Sequence, residues 1–502
     1  MATIESNENH SSSNCIGEDQ LQMNVDVDDK SNKYKPSWLI YLATFGAQLL
    51  TLSFGMTMGW TSIANEELDS NFNITNPNDH WKTPVIPNEM EKQLIASIWT
   101  IGSVFGGFTS GYLIDKFGRK KVLIALGIPF TLAWLMIGFA QSSLMIIIGR
   151  IINGFGVGIS MATIPRYLAE ICTPKIRGYI GMTVGYFTCL GMFMVNIFNV
   201  LNFHWNHLGF IAIIPIILMM IIMFFMPESP IWCINFISDK DEAIREAEKN
   251  LKRFRSNDSD LQQEINDIIE MKNTSDKTNE TNHLNGSLIR SIRRKDIYKP
   301  FFISMLLMTF QQFCGASIVI YSMNDIFQTS GSTLSSKQSS SVTNGIMLVM
   351  VIIGSFLIDR FGRRILIMIS GAAQALSIGI LGIYYYQHIS DIQQSSSLLP
   401  IICVSIFVSG YSLGMGGICW LIIAEITPPQ AVWLVMSISS VYSGIGTFIM
   451  IISTKSFFHI LKEYGTYWLF TVINIIMIIF GYFLPETKGR TIDEISKIFK
   501  YN

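Results

Sequence analysis

The polar side chains that could do chemistry stand inside or next to long apolar runs. Gln311 and Gln312 are adjacent within one run, while Arg150 lies in another run that Glu170 and Arg177 follow. Charges near a membrane interface are costly unless paired, and these three residues can pair with one another; a purely structural salt-bridge cluster is the alternative. A buried amide without a partner costs about 1–3 kcal/mol, so the two glutamines are predicted to bind a ligand.

Covalent catalysis is not indicated by this sequence. The seven histidines are scattered over predicted tail and loops, and no nucleophile–base or metal-ligand cluster is visible, so we expect no enzyme, no metal and no cofactor. A net charge of -1 argues against nucleic acid as a partner, because neutralising phosphates needs a surplus of Lys and Arg. None of the seven cysteines falls in a predicted outward loop, so no disulfide framework is expected.

Two short charged segments share one pattern. Asp115 and Arg119 lie in the first, and Asp359 and Arg363 lie 244 residues later in the second. Each segment separates two apolar runs of membrane-spanning length and is therefore predicted to be a tight loop between two helices. A second half that repeats the first is typical of transporters built from parallel repeats.

Composition and run length predict the fold class. Hydrophobic residues make up 49% of the chain and charged residues 15%, with a mean hydropathy of +0.38, which indicates a membrane protein. We predict an all-α protein with twelve transmembrane helices in two six-helix bundles. The predicted spans are 38–60, 92–114, 122–141, 144–167, 179–201, 208–227, 300–323, 341–358, 365–387, 398–424, 431–454 and 466–484.

Basic residues in the short loops predict the orientation. They concentrate in the two repeated segments, which places those segments and both termini in the cytoplasm. The predicted organisation is a disordered tail (1–36), a bundle (37–228), cytoplasmic linker helices (229–299), a second bundle (300–484) and a cytoplasmic tail (485–502). Asn73 begins a glycosylation acceptor in an outer loop, whereas the acceptors at Asn273, Asn279 and Asn285 should stay unmodified in the linker.

Taken jointly, the motifs from about residue 38 to the end resemble the sugar porter family of the major facilitator superfamily, and within it the facilitated trehalose transporters. The matching features are the two repeated loops, Arg150 with Glu170 and Arg177, Pro227-Glu228-Ser229-Pro230, Gln311-Gln312, Trp420, and Pro485-Glu486-Thr487-Lys488-Gly489-Arg490. The resemblance implies a twelve-helix alternating-access carrier, with sugar held midway between the halves. It also implies cytoplasmic charges that close the inner side when the site faces outward.

Site residues follow from the resemblance. The implied sugar ligands are Gln311, Gln312, Tyr321 and Trp420, with Ser317 where the family has Asn. Amides donate to and accept from hydroxyls, and an indole face packs against a sugar ring. The implied cytoplasmic gate consists of Asp115, Arg119, Arg150, Glu170, Arg177, Asp359, Arg363, Glu425 and Glu486.

Several positions depart from the family pattern. Gly185, Ser317, Met347 and Ser443 stand where amides are usual. The segment Gly416-Gly417-Ile418-Cys419 before Trp420 lacks the two usual prolines, and Ile231 replaces an arginine. Val432 replaces the second-half counterpart of Arg177. The carrier frame is therefore intact, whereas the sugar site and half of the gate are altered.

The energy source is predicted from the first helix. No Asp, Glu, Lys, Arg or His occurs between Trp38 and Trp60, which favours facilitated diffusion over proton coupling. We expect a uniporter for trehalose or a hexose in the plasma membrane, with a small-molecule sugar and membrane lipid as its partners. The alternative is a non-transporting sugar sensor or partner-binding protein on the same fold, which the altered site residues would favour.

Overall fold

The computed structural model describes residues 36–68, 85–237, 239–255, 261–270, 272, 295–330, 333–388, 398–428 and 431–488. The predicted N-terminal tail, apart from its last residue Pro36, and all four glycosylation acceptors lie outside these ranges. The expectations placed on them therefore stay predictions.

The first half contains six membrane helices, of which five are continuous. Ser37 begins the first by accepting a hydrogen bond from the backbone of Leu39, as an N-cap residue does. The sixth is interrupted near Ala212. The elements are α1 (Trp38–Glu67), α2 (Glu89–Phe117), α3 (Arg119–Gly138), α4 (Ser143–Ile171), α5 (Pro174–Val200), α6 (Trp205–Ile211) and α7 (Ile213–Phe225), followed by the short helices α8 (Pro230–Phe236) and α9 (Lys240–Phe254).

The second half repeats this arrangement, but its first and fourth membrane helices are broken and its last is kinked at Lys462, where φ is +57°. Its first membrane helix is divided into α10 (Lys295–Phe313), α11 (Ala316–Tyr321) and α12 (Met323–Thr329). Its fourth is divided into two parts. The remaining elements are α13 (Ser336–Phe361), α14 (Arg363–Gln387), α15 (Leu399–Leu413), α16 (Ile418–Ile426), α17 (Val432–Ile452) and α18 (Thr454–Phe483). Twelve spans in the described residues are long and apolar enough to cross a membrane, which confirms the predicted fold class.

The first helix is longer than predicted. The hydrophobic run weakens after Trp60, so the prediction placed an outer loop from Thr61 onward, but α1 continues to Glu67. Glu66 and Glu67 are both buried, because they pack against other helices rather than facing water. The prediction that the outer loop begins at Thr61 is therefore wrong, and the first helix ends in two acidic residues.

The repeated loops are single-glycine turns. Gly118 (φ +93°) separates α2 from α3, and Gly362 (φ +87°) separates α13 from α14; this left-handed backbone favours glycine. A Cβ atom at Gly118 would also lie 2.5 Å from a carboxylate oxygen of Glu228, and one at Gly362 would lie 2.8 Å from Glu486. Both glycines are therefore required by backbone conformation and by space. We call the end of the bundles that holds these turns the motif end.

The halves pack as two bundles that meet mainly along two helix pairs, with further contacts of α1 to α11 and α12. Within the halves, α2 packs on α4, α1 on α5, and α14 on α18; between them, α2 contacts α17 and α5 contacts α13. At the motif end, α8 and α9 share a small apolar core that includes Cys233, Ala247 and Leu251. The end away from the motif end, where α1 ends and α6 begins, is called the opposite end below.

Candidate functional site

The broken helices of the second half meet in the middle of the bundle. Gly315 separates α10 from α11 with φ +94°, and a Cβ atom there would lie 2.7 Å from the ring of Phe470. Residues 414–417 separate α15 from α16. A break frees backbone carbonyls from their helical hydrogen bonds, so these groups need other donors inside the membrane. Transporters commonly bind substrates at such discontinuous helices.

Gln311 supplies a donor to the second break. Its Nε2 donates to the carbonyl oxygens of Met415 at 2.8 Å and Gly416 at 3.2 Å. This contact stabilises the α15–α16 turn and joins it to α10. The amide predicted as a sugar ligand therefore also holds the backbone of the site in place.

Gln312 faces a different helix. Its Nε2 donates to Ser443 Oγ at 2.8 Å, and its Oε1 accepts from Thr447 Oγ1 at 2.7 Å. Ser443 was identified from the sequence only as a departure from the family, and Thr447 was not identified at all. One turn of α17 thus presents two hydroxyl groups to one buried amide, an arrangement that a sugar hydroxyl could enter by replacing either partner.

Aromatic residues also join the two halves. The rings of Tyr321 and Trp99 lie 6.1 Å apart, and the ring of Phe54 lies 5.7 Å from that of Trp99. The hydroxyl of Tyr321 and the indole N–H of Trp99 are buried and have no hydrogen-bond partner among the described residues. Buried polar groups normally have partners, so these two groups are candidate ligand contacts. Sequence reasoning identified Tyr321 but missed Trp99.

The other predicted ligand positions differ in their surroundings. Ser317 is buried in α11, and Trp420 in α16 is partly buried against the second-half core. A Cβ atom at Gly185 would contact only Val351, at 3.6 Å, so the position where an amide is usual is open. Met347 is buried among apolar residues of the second half. The amide losses noted in the sequence therefore leave space at Gly185 and an apolar surface at Met347.

At the motif end, the first half has a buried ion pair. Arg119 donates from Nη2 and Nε to the two oxygens of Glu170, at 2.8 and 2.9 Å. Asp115 lies 3.8 Å from Arg119, and Arg166 contacts both Asp115 and Glu170. Ser229 also donates to Glu170. Arg166 was missed by sequence reasoning because it belongs to neither repeated motif.

The second half has the corresponding cluster. Arg363 Nη2 donates to Glu425 Oε1 at 3.0 Å, and Thr487 donates to Glu425 Oε2 at 2.5 Å, in the place that Ser229 takes in the first half. Glu486 accepts from the backbone N–H groups of Arg363 at 3.0 Å and Arg364 at 3.2 Å. The two clusters share a plan, but only the first is a two-point guanidinium–carboxylate pair.

The carboxylates behind the two glycine turns differ in acidity. Burial raises the pKa of Glu228, although the backbone N–H groups of Lys120 and Ser229 oppose the shift. Burial also acts to raise the pKa of Glu486, but four backbone N–H donors outweigh it and the pKa lies below its ordinary value. Equivalent positions therefore hold carboxylates with opposite pKa shifts.

Arg150 is not part of the motif-end cluster, so its predicted pairing with Glu170 is wrong. Twenty residues of continuous α4 separate the two, which is about 30 Å at 1.5 Å per residue. Arg150 is fully buried and donates to four neutral acceptors, and its guanidinium lies 5.2 Å from the ring of Trp60. The acceptors are the carbonyl oxygens of Ile95 (3.0 Å), Thr57 (3.1 Å) and Ala96 (3.3 Å), and the hydroxyl of Thr61 (2.6 Å).

Two further gate predictions stay predictions. The side chains of Arg177 and Asp359 lie outside the part of the chain that the structure describes. Val432, the expected second-half counterpart of Arg177, is the first residue of α17 and is partly buried.

Comparisons with known proteins agree with this architecture. The family model described as "Sugar (and other) transporter" matches residues 41–499. The chain is 30% identical over 464 residues to a protein named facilitated trehalose transporter Tret1 from Bombyx mori, covering 91% of this chain and 86% of that protein. A protein of the same name from Apis mellifera ligustica is also 30% identical, with coverages of 91% and 88%.

A solved structure has the same fold. The xylose transporter XylE from E. coli, in an inward-open conformation, superposes with a TM-score of 0.71 at 20% identity, covering 91% of this chain and 99% of that chain. Its partially occluded inward-open form gives a TM-score of 0.70. The sequence prediction of the family is therefore confirmed, and the chain is a multi-pass membrane protein that belongs to the sugar porter family of the major facilitator superfamily.

Proposed function

We propose that this sugar transporter is a facilitative uniporter that moves trehalose or a hexose by alternating access. The observation that supports this most is the pair of buried amides, Gln311 and Gln312, beside two broken helices in the middle of the second bundle. The trehalose assignment draws on the names of the relatives from Bombyx mori and Apis mellifera ligustica.

The proposed sugar contacts are Gln311, Gln312, Ser317, Tyr321 and Trp420. The side chain of Gln311 would both bind sugar and hold the α15–α16 turn in place. The hydroxyls of Ser443 and Thr447 can rotate away from Gln312, so a sugar hydroxyl can replace them without leaving the amide unpaired. The unpaired hydroxyl of Tyr321 would supply a further hydrogen bond.

The uniport proposal is supported by the surroundings of the buried cation Arg150, because none of its hydrogen-bond partners could carry a coupling proton. Its four hydrogen bonds go to three carbonyl groups and one hydroxyl, and none of these groups titrates near neutral pH. Sugar movement would then follow its own gradient. We further propose that the protein lies in the plasma membrane. The motif end and both termini would face the cytoplasm, because basic residues concentrate at that end.

Uptake into vesicles tests this function. Purified protein in liposomes should take up labelled trehalose or glucose down a concentration gradient, at a rate that neither a pH gradient nor a protonophore changes. Gln312→Ala should lower the uptake rate. A rate that depends on the pH gradient would contradict uniport, and sugar binding without any uptake would favour the sensor alternative.

A further inference from the structure

The two halves are joined by polar contacts at the opposite end. Asn324 of α12 donates from its backbone N–H to Ser62 Oγ of α1 at 3.1 Å and from Nδ2 to Glu66 Oε2 at 2.8 Å. Ser336, the first residue of α13, donates to Glu66 Oε1 at 2.5 Å. Both oxygens of one carboxylate in the first half are therefore used by two helices of the second.

These contacts are largely shielded from water. Glu66 is 6% exposed and Asn324 is 0% exposed, and Asn324 is held in place by a hydrogen bond from Ser340 to its Oδ1. Hydrogen bonds to a charged group are stronger than those between neutral groups, and a buried carboxylate that loses its donors pays a desolvation cost. Separating α1 from α12 and α13 would thus cost energy until water replaces the lost donors.

Neighbouring charged groups complete the cluster. Glu67 accepts from the backbone of Trp205 at 2.9 Å within the first half, and its carboxylate lies 3.7 Å from His204. Lys337 of α13 lies 3.7 Å from Glu67 and also acts electrostatically on Glu66. One further pair, Lys455 with Glu89, joins the halves nearer the surface.

The ion pairs at the motif end have the other arrangement. Arg119 pairs with Glu170 inside the first half, and Arg363 pairs with Glu425 inside the second. Neither pair spans the boundary between the bundles. These two described ion pairs therefore organise each half, whereas the Glu66 contacts hold one half to the other.

We propose that Glu66, with Asn324 and Ser336 as its donors, is the lock that keeps the opposite end closed. Opening this end requires α1 to separate from α12 and α13, which breaks both hydrogen bonds to the carboxylate. Glu66 is thus a positioning residue that sets the balance between the two conformers. In the transport cycle proposed above, this lock closes the outer gate; the lock itself does not depend on the identity of the sugar.

The test measures the separation of the two halves directly. Spin labels at Leu201→Cys and Gln338→Cys, both exposed residues at the opposite end, report its opening in the full chain. The parent for labelling has Cys15→Ser, because the other cysteines are buried. The parent should show a short distance, and Glu66→Ala should raise the ratio of long to short distances about tenfold, the effect of losing hydrogen bonds to a charge.

A charge swap gives a sharper test than removal alone. Asn324→Asp places a second carboxylate against Glu66 and should open the end at least as much as Glu66→Ala. Combining Asn324→Asp with Glu66→Gln restores one amide and one carboxylate in exchanged positions, so the short distance should return. A merely structural effect of each substitution would add in the double variant instead of cancelling.

Two controls separate the lock from general loss of structure. Glu89→Gln removes a charge at the same end, but Glu89 is 63% exposed on its side chain, so this variant should match the parent. Labels at Lys121→Cys and Arg360→Cys at the motif end should move closer in Glu66→Ala, because one end closes as the other opens.

The proposal is overturned if Glu66→Ala keeps the parent distances, or if the double exchange stays open while Asn324→Asp alone is open. These distances do not require transport. A failed uptake assay with the predicted distances would therefore contradict the proposed function and leave the lock standing, and the reverse result would contradict the lock alone.

Discussion

The two halves of the molecule share their loop motif but differ in the helices beside the centre. Helices α1 and α4 are continuous, whereas their counterparts in the second half are broken at Gly315 and at residues 414–417. In the first half, buried Arg150 connects α4 to α1 and α2. The comparison shows a division of labour in which the first half is braced and the second presents the freed carbonyls and amides that suit ligand binding.

The charge clusters at the motif end differ in the same direction. Arg119 is 1% exposed and makes a two-point contact with its carboxylate, while Arg363 is 15% exposed and makes one hydrogen bond. Two-point geometry strengthens a guanidinium–carboxylate contact, and burial raises the cost of removing one of its partners. The first half is thus the more tightly held at the motif end as well as near Arg150.

Removing the buried cation Arg150 should give the largest effect. Arg150→Leu deletes four hydrogen bonds to a fully buried charge, and we expect a loss of about 2–4 kcal/mol in the free energy of unfolding. Arg150→Lys, which keeps the charge, should lose less. Thermal unfolding of the purified variants measures this. A melting temperature for Arg150→Leu equal to that of the parent would remove the proposed bracing of the first half.

The two motif-end clusters should respond unequally. Arg119→Ala leaves Glu170 buried without its main partner and should cost about 2–3 kcal/mol, whereas Arg363→Ala should cost about 1 kcal/mol. Denaturation of the two variants under identical conditions gives the comparison. Equal losses would mean that the second contact of Arg119 contributes nothing to stability.

The carboxylates behind the glycine turns should show opposite pH dependence. Because the pKa of Glu228 is raised, its neutral form is favoured in the folded state, and this stability is lost as pH rises from about 4.5 through the raised pKa. Because the pKa of Glu486 is lowered, its stability is present above about 4.5 and is lost as pH falls.

Glutamine variants measure this difference. The cost of Glu228→Gln should shrink as pH rises from about 4 to 7, while that of Glu486→Gln should grow to about 1 kcal/mol. Melting temperatures of both variants and the parent across that range provide the test. Slopes of the same sign would show that the two positions are not distinguished by their surroundings.

Restoring the missing second-half cation should give the smallest effect. In the predicted cytoplasmic gate, Val432 stands where the second half would be expected to have a cation. Val432→Arg should therefore favour closure of the motif end by up to about fivefold, since a partly exposed ion pair contributes about 0–1 kcal/mol. Arg177→Ala should shift the balance the other way. The motif-end spin labels at residues 121 and 360 report both variants. Unchanged distances between these labels in Val432→Arg would show that this position does not belong to the cytoplasmic gate.

Local patterns in the sequence were sufficient for the architecture. Apolar runs predicted the twelve spans, and the repeated charged segments predicted the tight loops that the structure places at Gly118 and Gly362. Contacts between distant segments were not predictable in this way. Arg150 was assigned to the motif end because the family pattern names it together with Glu170. The two residues are far apart in the structure, because 20 residues of α4 separate them.

The same limit applies to the site and to the end of α1. Thr447 and Trp99 are unremarkable in sequence and become relevant only because folding brings them to Gln312 and Tyr321. The extension of α1 through Glu66 was missed because hydrophobicity falls there, although its partners in α12 and α13 allow the carboxylate to be buried.

The central claim is that the sugar is bound mainly by the broken helices of the second half. Gln48 of continuous α1 is the first-half comparison, because its buried amide donates to Thr183 Oγ1 at 2.7 Å and its Oε1 has no hydrogen-bond partner among the described residues, so it could also contact a ligand. Equilibrium binding of trehalose and glucose to the purified protein tests the claim. Gln312→Ala should weaken binding of the transported sugar about tenfold and Gln48→Ala less than about threefold. Equal weakening by both variants, or by Gln48→Ala alone, would contradict it.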